Sequence, residues 1–268
     1  MNGKVCIIAA AALAVSCSLI LEDRGKCPCI LSFEVLDDRA LPEGSEAFLE
    51  VFGSENTSEA EDYVPLEKLH PDKYSMSVAR SARRAGGIIG LEGCYRDGTR
   101  FIIPEGFQCD RYYVFTSDVD ASGEEALVPV TLRKEHCVLT VSFPSADPGA
   151  HPFGIVISAF GCGIDLSSGL PVGGRFRSRA DYMGENTFRC ILPRLADPDI
   201  LDLEIVDLEL GDAPMDSFSL SAILSQVKDF SWADDNLKDI TLSIDRSRSE
   251  ISVSVEGWSE GSLIHQVI

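Results

Sequence analysis

Apolar and polar residues alternate with period two through most of the chain after Ile30, while the i, i+3, i+4 spacing of an amphipathic helix is nearly absent. A chain patterned this way builds sheets. In Cys137 to Phe143, for example, Cys137, Leu139, Val141 and Phe143 fall on one side and Val138, Thr140 and Ser142 on the other, so one face is core and one is partly wet. The same reading predicts strands over Ile30 to Leu36, Ala47 to Phe52, Tyr74 to Ala79, Gly87 to Glu92, Arg100 to Ile103 and Tyr112 to Thr116. A second set follows over Ile155 to Phe160, Asn186 to Leu192, Ile200 to Leu210, Ile240 to Ile244 and Ile251 to Val255. Tyr112 to Thr116 is aromatic or β-branched throughout, the mark of a strand buried on both faces. In the long run Ile200 to Leu210 the acidic residues change phase between Glu204 and Asp207, as across a β-bulge. One helix is predicted, carried by Leu220, Ile223, Leu224 and Val227, with Ser217 or Ser219 to cap it.

The 268 residues correspond to about 1.8 typical domains. The two sets of strands divide near Leu132 to Glu135, giving an N-terminal β-sandwich over 27–132 and a C-terminal one over 133–258, each large enough for its own core. The expectation is an all-β protein of two tandem β-sandwiches with one short helix in the second. Acids outnumber bases 43 to 23, a net charge of -20 that argues against a nucleic-acid partner.

Ahead of the strands, Met1 to Lys4 is short and basic, Val5 to Val15 is apolar, and Ser16-Cys17 follows, the layout of a bacterial export signal over 1–16. The apolar run is too short to span a bilayer, which takes about 20 residues. Leu13-Ala14-Val15-Ser16-Cys17 resembles a lipobox, which makes Cys17 the site of lipidation and 17–26 the tether to the membrane. Of the nine cysteines, setting aside Cys6 in the signal and Cys17 leaves Cys27, Cys29, Cys94, Cys109, Cys137, Cys162 and Cys190, an odd number whose pairing the sequence does not fix. Cys27-Pro28-Cys29 has the wrong spacing for a zinc knuckle and the four histidines do not cluster, so no metal is expected.

No serine-nucleophile elbow, zinc-protease motif, phosphate loop or dinucleotide fingerprint is present, and neither catalysis nor a cofactor is expected. His136 and Cys137 are adjacent, but neighbours on a strand point to opposite faces and cannot act as base and nucleophile. The acidic runs Ser58 to Asp62 and Asp234-Asp235 read as solvated loops. Arg80, Arg83 and Arg84, and Arg175, Arg177 and Arg179, are the basic patches; they suit either an anionic head group or partner, or charged strand edges that resist unwanted pairing.

Three stretches together resemble a known family. The lipobox cysteine is followed by Cys27-Pro28-Cys29 and the strand Ile30-Leu31-Ser32-Phe33-Glu34-Val35; Gly163-Ile164-Asp165-Leu166-Ser167-Ser168-Gly169-Leu170-Pro171 forms a G-x-D-x-x-T-G-x-P-like hairpin, with Ser168 in place of the threonine; and Asp239 to Asp245 with Ile251 to Trp258 looks like a closing strand pair ending in tryptophan. From Cys17 to Trp258 the chain resembles the FimB/Mfa-type fimbrial anchor subunits of Bacteroidales. The resemblance implies two transthyretin-like β-sandwiches, a lipid anchor in the outer membrane, other fimbrial subunits as partners, and a role in holding the pilus base and ending its growth.

In such pili a protease cuts stalk subunits after an arginine behind the first strand, and a neighbour's C-terminal strand fills the opened groove. An anchor keeps its first strand. Arg39, the one arginine between the first two predicted strands, is therefore the candidate processing site. The 259–268 tail supplies the candidate donor strand, Leu263, Ile264, His265, Gln266, Val267 and Ile268, unless it closes the protein's own sheet. The alternative function is a surface glycan-binding β-sandwich lipoprotein, which needs exposed aromatic platforms; a hydrolase is the third class, and no motif speaks for it.

Overall fold

The computed structural model describes residues 27–36, 45–70, 73–144, 152–245, 248, 250–255 and 266–267, and strands dominate them. The N-terminal half contains β1 (Cys29–Val35), β2 (Glu46–Phe52), β3 (Ser58–Pro65), β4 (Tyr74–Val78), β5 (Arg84–Ile89), β6 (Tyr95–Asp97), β7 (Arg100–Ile102), β8 (Tyr113–Asp118), β9 (Glu125–Val130) and β10 (Arg133–Lys134). The C-terminal half contains β11 (His136–Ser142), β12 (Phe153–Phe160), β13 (Gly163–Asp165), β14 (Leu170–Pro171), β15 (Arg175–Arg179), β16 (Asp181–Gly184), β17 (Thr187–Pro193), β18 (Asp197–Asp207), β19 (Ala213–Ser219), β20 (Ile240–Asp245), β21 (Glu250–Val255) and β22 (Gln266–Val267). Among the described residues there are two short α-helices, α1 (Leu66–Leu69) and α2 (Leu220–Leu224).

In the N-terminal half a three-stranded sheet, β4-β1-β9, packs on a five-stranded one, β10-β8-β5-β2-β3. Leu31 and Phe33 of β1 meet Ala47, Leu49 and Val51 of β2 and Phe115 of β8 in the core between them. The five-stranded sheet is buried on its other face as well: Phe48, Phe52, Ile88 and Val114 join Phe101, Ile164 and Leu166 in the core that fills the C-terminal half. Burial on both faces explains why Tyr112 to Thr116, which leads into and forms most of β8, reads as an unbroken aromatic and β-branched run.

The C-terminal sandwich packs a six-stranded sheet, β16-β17-β11-β20-β21-β22, on a four-stranded one, β15-β12-β18-β19. The two halves repeat one device. β1 lies antiparallel to β4 and parallel to β9, and β11 lies antiparallel to β17 and parallel to β20. A fifth sheet, β14-β13-β7-β6, crosses the expected division near residue 132, with β7 of the first half paired to β13 of the second. The hairpin singled out in the sequence, Gly163 to Pro171, is thus a clasp. Arg84 donates to the Ser167 carbonyl (2.7 Å), Arg133 to the Gly169 carbonyl (3.0 Å), and Leu166 N–H to the Thr99 carbonyl (2.9 Å).

Several expectations change. The acidic stretch from Ser58 is no loop: it forms β3, an edge strand on which Glu61 and Asp62 are exposed and leave little apolar signal. A helix turn absent from the sequence reading, α1, buries Leu69 in the first core. The expected helix is present as α2 but is shorter, with Val227 buried beyond its end. Ser219 sits at its N-cap without a capping side-chain bond, its Oγ 2.9 Å from Ser221 Oγ instead. The expected bulge in β18 is found between Ile205 and Val206 against β19. Trp258 lies outside the described residues.

Candidate strand-exchange site

The strand exchange expected from the sequence needs a strand that can leave or enter a sheet, so the ends of the two sandwiches are the places to look. At the first, β1 is the middle strand of its sheet. It pairs from Cys29 to Phe33 with β4 and from Ile30 to Val35 with β9. Cys29, Leu31 and Phe33 are fully buried, and the intervening Ile30, Ser32 and Glu34 face outward. Phe33 stands edge-on to Phe115 with centroids 6.3 Å apart, and burying a side chain of this size is worth about 2–3 kcal/mol.

The outward face of β1 is tied as well. Ser32 Oγ and Ser75 Oγ, directly opposite across the pair, are 3.0 Å apart, and Lys73 meets Glu34 at 3.0 Å. Where the chain enters, Arg80 donates to the Cys27 carbonyl at 2.9 Å and to the Ser122 carbonyl at 3.2 Å. The groove flanks are closed too. Tyr74 donates its hydroxyl to Asp62, joining β4 to β3 of the facing sheet; burial first, and then the Asp62 carboxylate, push the Tyr74 hydroxyl up to about 12. On the other flank Pro129 interrupts the N–H row of β9, and Ser117 donates to its carbonyl at 2.8 Å. What the geometry provides is a groove between β4 and β9, filled by the chain's own first strand.

At the second place, β22 pairs with β21 through Glu250 with Val267 and Ile251 with Gln266. Of the candidate donor strand, Gln266 and Val267 therefore lie on the edge of the protein's own sheet. Leu263, Ile264, His265 and Ile268 lie outside the described residues, as do Cys17 and Arg39.

The remaining candidates resolve into structure. Arg175, Arg177 and Arg179 lie along the edge strand β15 and pair with Glu105 (3.4 Å), Glu204 (3.1 Å) and Asp212. All seven cysteines from Cys27 to Cys190 are free thiols, and those at Cys109, Cys137 and Cys190 are buried, which pushes each of their pKa values up. Burial holds the neighbouring His136 imidazole down at about 4. A protonated thiol beside an unprotonated imidazole is the reverse of an activated nucleophile pair. Among the described residues no group of three or more His, Cys, Asp or Glu is placed to hold a metal ion, and no helix is long and apolar enough to cross a membrane.

Tandem sandwiches, each with its first strand held between an antiparallel and a parallel neighbour, define an all-β protein of the transthyretin-like kind. No protein-family model matches the chain, and no curated protein matches it. Solved structures do. The chain is similar to the fimbrial anchor protein Mfa2 from Porphyromonas gingivalis (TM-score 0.61, 13% identity, covering 90% of this chain and 100% of that one). It is also similar to a Bacteroides thetaiotaomicron protein proposed to bind polysaccharide (TM-score 0.64, 13% identity, 89% and 100% covered) and to a Bacteroides ovatus protein proposed to be an adhesin (TM-score 0.57, 16% identity, 91% and 97% covered). At such identities the likeness is one of fold.

Proposed function

We propose that this chain is a lipid-anchored fimbrial anchor or accessory subunit that holds the base of a pilus to the outer membrane and limits its length through strand addition. The observation that carries the reading is the placement of β1. A subunit that accepts a neighbour's strand must expose the groove between β4 and β9, whereas here Leu31 and Phe33 fill it and Arg80 fixes the strand's entry. Growth on that side stops, because main-chain pairing and side-chain pockets are both taken. The fold shared with Mfa2 supports a place among fimbrial and adhesin proteins at the cell surface. The export signal, Cys17 and the short tether supply the membrane end of the assembly.

The test is removal of the gene from its host. Fimbriae should then appear in the culture medium, longer than in the parent strain, and return to the cell when the gene is restored. Fimbriae that stay on the cell at parental length overturn the anchor reading.

A further inference from the structure

Apart from the filled groove, the described surface carries a cavity of ≈ 530 Å³ on the N-terminal half, in the size range of small-molecule sites. The pairing of β2 with β3 sets Phe48 directly opposite Tyr63, and the hairpin β6–β7 folds over them to bring Phe101 and Arg96 alongside. The three rings form a continuous wall, with Phe48 centroid to centroid 4.8 Å from Tyr63 and 5.1 Å from Phe101. Tyr63 is 60% exposed, so part of that wall is open to a ligand.

Polar groups fixed in place border this wall. The Arg96 guanidinium lies 4.9 Å from the Phe48 centroid and is held by Glu50 at 2.7 Å, Glu61 at 2.6 Å and the Gly98 carbonyl at 2.7 Å. Those bonds use three of its five N–H groups, which leaves donors for a ligand. Glu46 and Glu92 also line the cavity and add carboxylates to it, and the loop bearing Glu92 is braced by Asp110, which accepts from the N–H of Glu92 (3.0 Å) and of Gly93 (2.8 Å).

The lining selects the ligand by charge and shape. An anion meets Glu46 and Glu92 and a protein of net charge -20; a cation finds the face of Phe48 already occupied by the Arg96 guanidinium. A pyranose ring is uncharged, offers a flat C–H face to an aromatic ring, and carries hydroxyls that both accept from a guanidinium and donate to carboxylates. We infer that this cavity is a binding site for a neutral saccharide, with Tyr63 as its stacking platform and Arg96, Glu46 and Glu92 as its hydrogen-bonding rim. The inference is independent of the anchor reading, since the cavity lies outside the groove between β4 and β9.

The test uses the full chain purified in detergent micelles and saturation-transfer NMR from aromatic protons. The probes are neutral trisaccharides of glucose, mannose, galactose and N-acetylglucosamine, with sialyllactose as the anionic and trilysine as the cationic comparison. At least one neutral trisaccharide should receive transfer at its ring C–H protons. Its dissociation constant should rise at least tenfold in Tyr63→Ala and in the double variant Glu46→Gln/Glu92→Gln, and stay unchanged in Tyr63→Phe and in Tyr182→Ala, which removes an exposed ring elsewhere. The double variant decides if Tyr63→Ala does not fold. The inference is overturned if no neutral trisaccharide binds at about 10 mM, where even a millimolar site is mostly filled. Binding that only sialyllactose or trilysine shows, or that neither Tyr63→Ala nor the double variant weakens, overturns it equally.

Discussion

Gly163 approaches Phe101 so closely that a Cβ on the glycine would stand 1.9 Å from the phenylalanine's carbonyl oxygen. The contact lies where β13 pairs with β7, so the only residue that fits is one without a side chain, and its φ of +155° adds to the restriction. Gly163→Ala should therefore destabilise the protein by about 2–4 kcal/mol, by forcing the strand that joins the two sandwiches off its partner. Gly98→Ala is the control, because that site has positive φ but nothing within 4 Å of the added carbon; it should cost about 1 kcal/mol. Thermal unfolding of both variants decides, and equal losses would refute the clasp.

His136 makes stability fall with acid. Its ring is buried, with Nδ1 3.1 Å from the backbone N of Tyr112, and burial lowers its pKa from 6.5 to about 4. A depressed folded-state value means that the neutral ring's contribution is whole above pH 6.5 and is lost as the pH falls through 4, an effect of about 3 kcal/mol. Glu50 and Glu135 act in the opposite sense, since burial raises both and their protonation favours the fold. The comparison of wild type with His136→Gln isolates the histidine: the variant's denaturant stability should change less between pH 6.5 and 4. Parallel curves would mean that the imidazole does not titrate as its burial requires.

Much of the fold was legible because a buried sheet face imprints alternation on the sequence. Cys137, Leu139, Val141 and Phe143 all reach the core as their spacing demands, and the phase change in β18 marks its bulge. An edge strand leaves a weaker trace. β3 is paired along one edge only and is largely exposed on both faces, so Glu59, Glu61 and Asp62 conceal a strand that Tyr63 and Val64 alone betray. Long-range register leaves none. Phe48, Tyr63, Arg96 and Phe101 are scattered over four strands, and only the pairing of β2 with β3 and the fold of the β6–β7 hairpin make them one wall. The clasp was visible as a motif, but its partner strand, β7, was read as part of the first sandwich, because a strand's sequence does not name its neighbour.

Cys17→Ser tests the membrane end. The apolar run before Cys17 is shorter than a bilayer span, and Glu22-Asp23 cuts the apolar stretch that follows, so under the proposed lipidation it is acyl chains on Cys17 that would hold the mature chain. The variant should move from the membrane fraction to the soluble one, with the same thermal midpoint. Retention at the wild-type level would refute lipidation at this residue.

Arg39 separates anchor from shaft subunit. Cleavage after it would free β1, and with it the burial of Leu31 and Phe33, each worth about 2–5 kcal/mol when truncated in a core. An anchor keeps that bond. Intact-mass measurement of protein taken from its native membrane should show a chain running unbroken from the acylated Cys17, whereas a mature form beginning at Ala40 would make it a polymerised subunit.

The tail is the place where donation and self-closure compete. Among the described residues Gln266 and Val267 pair with Ile251 and Glu250, while β21 itself is already secured by its pairing with β20 and by the burial of Ile251, Val253 and Val255. Removing Gln266 and Val267 takes away their edge pairing, worth roughly 1–2 kcal/mol, and leaves the pairing of β21 with β20 in place. A strand at a sheet edge is the kind that can be drawn into a neighbour's groove, and the edge it leaves invites pairing in turn. Deletion of Leu263 to Ile268 should leave the protein exported, lipidated and folded, with a thermal midpoint within a few degrees of wild type, and unable to retain fimbriae on the cell. Loss of folding would show that the segment belongs to its own sheet, and full retention of fimbriae would show that the first shaft subunit is held by some other surface.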